Sequence, residues 1–190
     1  YLNGKEIKIR SSKDAIKNKI GFLTENRKEQ GLVLKQSCRE NIAMANLPNM
    51  MKHGLVDNTA TLQLYEKYHE LLKISRTGPE QTVGNLSGGN QQKVVVGKWM
   101  AIGPQLLILD EPTRGIDVGS KSEIYRLIAQ MAASGMAIIL ISSEMPEIMG
   151  VSNRVITMAQ GQLTKELTAD DVTEESLMRS ILITDSAQRA

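Results

Sequence analysis

An α/β fold built on a parallel sheet is predicted by three features of the sequence. Leu106-Leu107-Ile108-Leu109 is a run of four aliphatics that ends in Asp110-Glu111-Pro112, which reads as a buried strand with two acids at its carboxyl end. A helical pattern follows, with Ile124, Leu127, Ile128 and Met131 on one face and Gly135 suited to its C-terminus. Ala137–Ile141 (AIILI) is then a second continuous apolar run, expected as a strand buried on both faces. Strand, helix, strand at this spacing is a parallel crossover unit.

A chain of 190 residues can bury one good core, or one domain plus a small lobe. Its hydrophobic share of 41% and charged share of 23% are those of an ordinary globular protein. Aromatics make up only 3%, so aliphatics and the ten methionines must fill the core. A net charge of +2 gives no electrostatic case for a nucleic-acid partner or an anionic membrane surface. Cys38 is the one cysteine, which excludes a disulfide framework and fits a reducing compartment; a packed thiol is the reading preferred over a nucleophile. No apolar run approaches the roughly 20 residues that span a bilayer, and no signal-peptide pattern is present, so a soluble, cytoplasmic chain is expected.

Taken in order, Asn3-Gly4 reads as a turn before a half-buried strand that alternates Ile7 and Ile9 with Lys8 and Arg10. Tyr1 opens the chain without a leader, as in a piece of a longer protein. Ser12 is the expected N-cap of a helical patch around Asp14–Lys17, and Ile20–Leu23 a short buried strand. Residues 24–32, TENRKEQGL, leave that strand as a polar loop, and together with residues 1–23 they form a first segment, 1–32. Loops at the carboxyl ends of parallel strands are where open α/β sheets place ligands, which makes Glu25 a candidate for metal or water contact. Residues 33–85 read as an inserted helical lobe. Its main helix runs from Asp57, with Leu62, Tyr65, Tyr68 and Leu72 on one face and Leu64 and Leu71 widening it; Pro48 interrupts the patch before it, and Gly78-Pro79 closes the region. His53 and His69 stand singly there and read as surface or packing residues. Residues 86–167 form the α/β core. Within it Ser120-Lys121-Ser122-Glu123 is a capping-box pattern, Pro146 to Met149 a short helix, and residues 154–158 and 162–167 two strands joined at Gln160-Gly161. Residues 168–190 read as a small helical tail whose last residues are expected to be disordered.

The chemistry concentrates between Leu86 and Lys121. In LSGGNQQ, Ser87-Gly88-Gly89 lies where a helix would begin, with Val94, Val95, Trp99 and Met100 as its apolar surface. Unpaired amides and the helix dipole favour an anion there, glycines admit close approach of phosphate oxygens, and the hydroxyl adds a donor. In LLILDEP, a carboxylate at the strand end suits Mg²⁺, which takes one or two carboxylates plus substrate phosphates. A second carboxylate beside it can orient and deprotonate an attacking water. Each pattern has an ordinary alternative, a Ser-Gly-Gly turn or two solvated acids, and each signal alone is moderate.

In this order the patterns strongly resemble the ATP-binding cassette (ABC) ATPases. LSGGN matches the family's signature motif, LLILDE its Walker B strand and TRGID its D-loop. NQQK and EPTRGIDVGSK are similar to the ATPases of monosaccharide importers that carry two cassettes in one chain, and TENRKEQGL to the Glu-containing Q-loop of their second cassette. The resemblance covers residues 1 to about 182. It implies a P-loop NTPase core, ATP and Mg²⁺ as cofactors, and Ser87, Gly88, Gly89, Asn90, Gln91 and Asp117 as nucleotide-binding residues. It further implies Glu111 and Ser143 in catalysis and Asp110 and Glu25 at the metal. The implied partners are a second cassette, a membrane permease contacted by the loop after Leu23 and the helical lobe, and, indirectly, a sugar-binding protein, with no nucleic acid. The implied place is the cytoplasmic face of the cell membrane.

Three departures qualify the resemblance. The sequence has no GxxxxGK[ST] loop; Gly115-Ile-Asp-Val-Gly119-Ser-Lys121-Ser122 has the wrong spacing and reads as D-loop plus helix start. The family pattern places the P-loop and its strand just upstream of Tyr1, so a truncated core with exposed apolar surface and weak or no ATP binding is expected of this chain alone. Ser143 stands where the family has a switch histidine, and Glu25 where it usually has glutamine. Both suggest slow hydrolysis at the site built on Asp110 and Glu111, while the signature turn, which in the family closes the nucleotide site of the partner cassette, looks intact. A catalytically degenerate cassette that times the partner's site is the alternative within the family. A chromosome or repair ATPase is disfavoured because residues 33–85 lack sustained heptads.

Overall fold

The structure, a computed structural model, describes residues 1–75 and 78–187. It divides into two compact units, with the boundary between Ile141 and Ser142, inside the 86–167 segment. In chain order the first unit contains α1 (Ser12–Lys17), β1 (Ile20–Leu23), a π-helical turn (Arg27–Gly31), α2 (Cys38–Ala43) and a 3₁₀ helix (Met44–Met50). It continues with β2 (Met51–Lys52), β3 (Leu55–Val56), α3 (Asn58–Leu71), a 3₁₀ turn (Val83–Asn85), α4 (Gly88–Met100), β4 (Leu106–Asp110), α5 (Val118–Ala133) and β5 (Ala137–Ile141).

The three strands β1, β4 and β5 form an all-parallel sheet with β4 in the middle. Leu23 pairs with Leu109, and Asp110 with Ile141. One face of this sheet is packed. Leu23, Leu107 and Leu109 are buried there, with α4 against β1 and α5 against β5. Gly21 belongs to this packing: a Cβ on it would lie 2.8 Å from Leu107 Cδ1 and 3.2 Å from Trp99 Cβ.

The opposite face corrects the expectation of two-sided burial. Phe22 and Ile139 lie on one row with Ile108, by the register Phe22↔Ile108↔Ile139. Phe22 is 42% exposed, and Ile139 and Ile141 are each 48% exposed. A continuous aliphatic run identifies a strand without stating what covers its second face, and β5 is an edge strand of this sheet.

Other expectations shift for local reasons. Residues 6–10 form no strand; Leu2 and Lys5 bridge directly around the Asn3-Gly4 turn, whose φ values are 51° and 74°. The cap of α1 is Ser11 rather than Ser12, because Ser11 is the extended residue whose side chain accepts the Asp14 amide. In the helical lobe, β2 and β3 form an unforeseen two-stranded hairpin. His53 and Gly54 make its two-residue turn with φ of 52° and 82°, the left-handed geometry that suits the twist of a hairpin. Pro48 lies inside the 3₁₀ helix rather than ending it.

The buried stripe of α3 is Thr61, Tyr65 and Tyr68, continued by Leu72, while Leu71 turns 53% exposed. The Tyr68 hydroxyl donates to the Met100 carbonyl at 2.7 Å, which fastens the lobe to the end of α4. His69 packs its ring against Tyr65 and His53 occupies the hairpin turn, in line with packing and surface roles. Cys38 is fully buried, the packed thiol that was expected.

The second unit holds α6 (Met145–Val151), the antiparallel pair β6 (Arg154–Ala159) and β7 (Gln162–Thr168), a 3₁₀ turn (Ala169–Asp171) and α7 (Glu174–Ala187). Gln160 and Gly161, at φ 49° and 77°, close the hairpin where the sequence placed its turn. Val155, Leu167 and Leu177 form a small core, joined by Met145, Ile148 and Val172. The expectation of disorder at the very end of the tail concerns residues outside the described ones.

The open row on the sheet makes one prediction. The 190-residue chain is expected to self-associate in solution, with a mass by light scattering that rises with concentration. Phe22→Lys with Ile139→Lys should return it towards monomer. A wild-type chain that stays monomeric at all concentrations would refute this.

Candidate functional site

Parallel pairing of β1 with β4 brings the loops that leave them to the same edge of the sheet. Residues 24–32 and 111–117 therefore meet, although about 87 residues separate them in sequence. Glu25 forms an ion pair with Arg114. The Arg27 guanidinium donates to the Arg114 carbonyl at 2.7 Å and to the Gly115 carbonyl at 3.0 Å. Glu25, Asn26, Arg27, Lys28 and Arg114 line an open polar cleft at this edge. Its formation corrects one expectation: the Glu25 carboxylate is engaged by a cation of its own chain rather than held ready for a metal. Both arginines lay within the motifs read above, but a pairing across that sequence separation leaves no local signal.

Asp110 is the last residue of β4 and is half-buried. Glu111 leaves the strand with φ of 45°, and its amide donates to the Ile141 carbonyl at 2.9 Å. A non-glycine residue in this left-handed region costs on the order of 1 kcal/mol. Pro112 and Thr113, both buried, hold the turn that follows, and the Glu111 carbonyl accepts from the Arg114 amide at 3.1 Å. The two acids thus sit on an anchored turn at the carboxyl end of the central strand. The donor set fits Mg²⁺ through Asp110, because a hard cation with phosphate ligands needs only one or two protein carboxylates. Among the described residues no cluster of three or more metal-ligating side chains forms, so the protein would supply a minority of the ligands.

The Ser-Gly-Gly turn begins α4 as expected. Ser87 is the N-cap, extended at φ −60° and ψ 158°, and its hydroxyl oxygen accepts from the Asn90 amide at 3.4 Å and from Asn90 Nδ2 at 2.9 Å. Asn90 in turn accepts from the Ser75 amide at 2.9 Å, which fixes the orientation of its side chain. Helix geometry gives the amides of Gly88 and Gly89 no intrahelical partner. Gln91 faces inward: it is 4% exposed, and its Nε2 donates to the carbonyls of Val83 and Gly84. Its side chain has a packing role here that the sequence motif did not reveal.

The two glycines are required by the fold itself. A Cβ on Gly88 would lie 2.8 Å from Arg27 Nη2 and 3.2 Å from the Gly115 carbonyl. A Cβ on Gly89 would run into the Ser120 side chain. The signature turn is therefore pressed against the 111–117 turn and the start of α5, a proximity the sequence motifs do not show.

Asp117 is placed differently from its expected partner-facing role. It is the N-cap of α5, accepting from the Ser120 amide at 2.9 Å and from the Ser120 hydroxyl at 2.8 Å. The capping box expected at Ser120 and Glu123 does not form, because the helix starts earlier and Glu123 pairs with Lys93 of α4 at 2.7 Å. Ser143 is exposed in the second unit, two residues after β5 ends, and beside it the Ser142 hydroxyl accepts from the Glu144 amide.

Comparison with known proteins followed from this geometry. A family model described as ABC transporter matches residues 1–114. The chain is 48% identical over 178 residues to the ribose import ATP-binding protein RbsA of Bacillus cereus, covering 94% of this chain and 36% of that protein. It is 46% identical over 178 residues to RbsA of Bacillus subtilis, with the same coverage. The chain thus spans little more than a third of the length of these relatives. Among solved structures, the ATP-binding cassette MJ0796, described as dimeric and bound to ADP and Pi, aligns with a TM-score of 0.70 at 17% identity over 85% of this chain and 68% of that one. At that identity the likeness shows the fold.

The cap of α5 yields a pH prediction. The Ser120 amide, and then its hydroxyl, hold the Asp117 carboxyl below its ordinary value of 3.8. A depressed folded value means the stabilisation is present above 3.8 and is lost as the pH falls through the lower, folded value. The gap in melting temperature between wild type and Asp117→Asn should therefore hold steady from neutrality down towards 3.8 and close below it. Thermal melts over that range check it, and a gap that persists in acid would contradict the assignment.

Proposed function

The chain belongs to the ABC transporter family, and from that premise we propose that it is an ATP-binding cassette that energises monosaccharide import, with its signature turn serving nucleotide held on a second cassette. The observation that carries this reading is the similarity, over nearly the whole chain, to ribose import ATP-binding proteins. The partners in this proposal are that second cassette, a membrane permease and, through the permease, a sugar-binding protein. The cassette would work at the cytoplasmic face of the membrane.

Each residue's part follows from its position. The Gly88 and Gly89 amides and the positive end of α4 present donors to a phosphate, and the Ser87 hydroxyl, whose oxygen already accepts from Asn90, keeps its proton to donate. Asn90 positions that hydroxyl, and Gln91 secures the first turn of α4 from inside. Asp110 would hold Mg²⁺ bound to nucleotide on this cassette, and that ion would neutralise phosphate charge. Glu111, raised on its anchored turn, is the proposed general base, a role worth about 10²- to 10⁴-fold in rate. Ser143 can donate a hydrogen bond to phosphate but cannot carry the charge an imidazole carries. Together with the pairing of Glu25 to Arg114, this favours slow hydrolysis at the site of Asp110 and Glu111. A cassette whose main contribution is to complete and time its partner's site is the second reading that these two residues support.

Two variants of the full-length protein separate the roles. Ser87→Asp keeps an acceptor at the N-cap, so α4 retains its start, but places a negative charge against the phosphate. It should lower ATP turnover by roughly 10²-fold or more. Glu111→Gln should leave turnover within a few-fold of wild type. Turnover abolished by Glu111→Gln and spared by Ser87→Asp would reverse the assignment.

A further inference from the structure

The 24–32 segment is fastened at both ends to parts of the first unit that are remote in sequence. At one end Arg27 spans two successive carbonyls of the 111–117 turn, at 2.7 and 3.0 Å, while the Arg114 side chain returns to Glu25. At the other end the Gly31 carbonyl accepts from the ammonium of Lys98, a residue of α4 that is only 6% exposed. Gly31 also packs on Val95 of the same helix, since a Cβ there would lie 3.3 Å from Val95 Cγ2. Between the two ends runs the π-helical turn Arg27–Gly31, capped by Asn26. Such turns are rare and often mark functional positions.

We propose that Arg27 is a positioning residue that locks the loop after β1 to the turn after β4 and thereby sets where the Ser87-Gly88-Gly89 turn sits. Three features support this. The guanidinium fork presents parallel donors to carbonyls of adjacent residues, a geometry that a single ammonium cannot copy. Gly88 lies directly on that fork: a side chain at 88 would collide with Arg27 Nη2 and with the Gly115 carbonyl that Nη2 binds. The interlocking elements are therefore three, and Arg27 is the group that touches all of them. Arg27 Nε has no hydrogen-bond partner although it is buried, so the side chain is held by its terminal nitrogens on neutral carbonyls and not by a carboxylate of its own. That arrangement sacrifices part of its hydrogen bonding to reach the turn. With Lys98 as the second fastening, a shift of the 24–32 segment must move either the 111–117 turn or α4.

This inference rests on the ATPase reading for its kinetic consequence but not for its structural one, and the test keeps the two apart. Arg27→Lys and Arg27→Gln are made in the full-length protein, with melting temperature, steady-state ATP turnover and amide hydrogen exchange measured on each. Both variants are expected to lower kcat by roughly 10- to 100-fold with KM for ATP changed less than about 3-fold, without rescue by lysine. The melting temperature should hold within about 2 °C of wild type, and exchange should quicken in residues 111–117 and at the start of α4. Wild-type kcat in Arg27→Lys, or a raised KM at unchanged kcat, would overturn the positioning role, the latter by making Arg27 a nucleotide ligand. Unchanged exchange in both segments would overturn the interlock itself. A wild-type protein without ATP turnover would refute the functional reading instead, and the exchange data would then decide the interlock alone.

Discussion

The parallel pairing of β1, β4 and β5 is the constraint on which the first unit depends. Each strand must satisfy its backbone donors and acceptors laterally, and β4 does so on both sides. Because all three strands run the same way, their carboxyl ends lie on one edge, and every loop that leaves that edge is forced into company with the others. The two acids of the central strand, the polar loop after β1 and the turn before α5 become neighbours for this reason. The chemistry of the proposed site follows from the sheet before any side chain is considered.

Close approach is the second theme. The Ser-Gly-Gly turn has two demands on its glycines, one from the phosphate it is proposed to bind and one from its own fold. The structure makes the second demand explicit. Arg27 and the Gly115 carbonyl crowd Gly88, and Ser120 crowds Gly89. Side chains at either position would push α4 away from α5 and from the 111–117 turn. The same small residues thus permit both assembly of the unit and access to the amides at the start of α4.

Polar groups carry much of the long-range connectivity. Tyr68 to Met100, Lys98 to Gly31, Lys93 to Glu123 and Arg27 to Arg114 and Gly115 tie the helical lobe, α4, α5 and the two loops together. Burial lowers the pKa of Lys98 below its ordinary value, the expected effect of removing an ammonium from water. Its hydrogen bond to Gly31 offsets part of that cost. A buried charge used in this way fixes a geometry as much as it stabilises one.

The division between what the residues alone determine and what tertiary structure decides follows the range of the interactions. β1 at Ile20–Leu23, the aliphatic strand before Asp110, the start of α4 at Ser87 and the hairpin turn at Gln160-Gly161 were legible because each depends on neighbours a few residues away: periodicity, a cap or a two-residue turn. The family motifs were legible for the same reason, as short runs with fixed spacing. Cap positions moved by one to three residues, to Ser11 and Asp117, because several hydroxyls and carboxylates competed and the backbone chose the extended one. The open face of β5, the inward turn of Gln91, the capture of Glu25 by Arg114 and the Arg27 bridge could not be read in advance. Each depends on which surface lies opposite, and only the folded sheet brings those surfaces together.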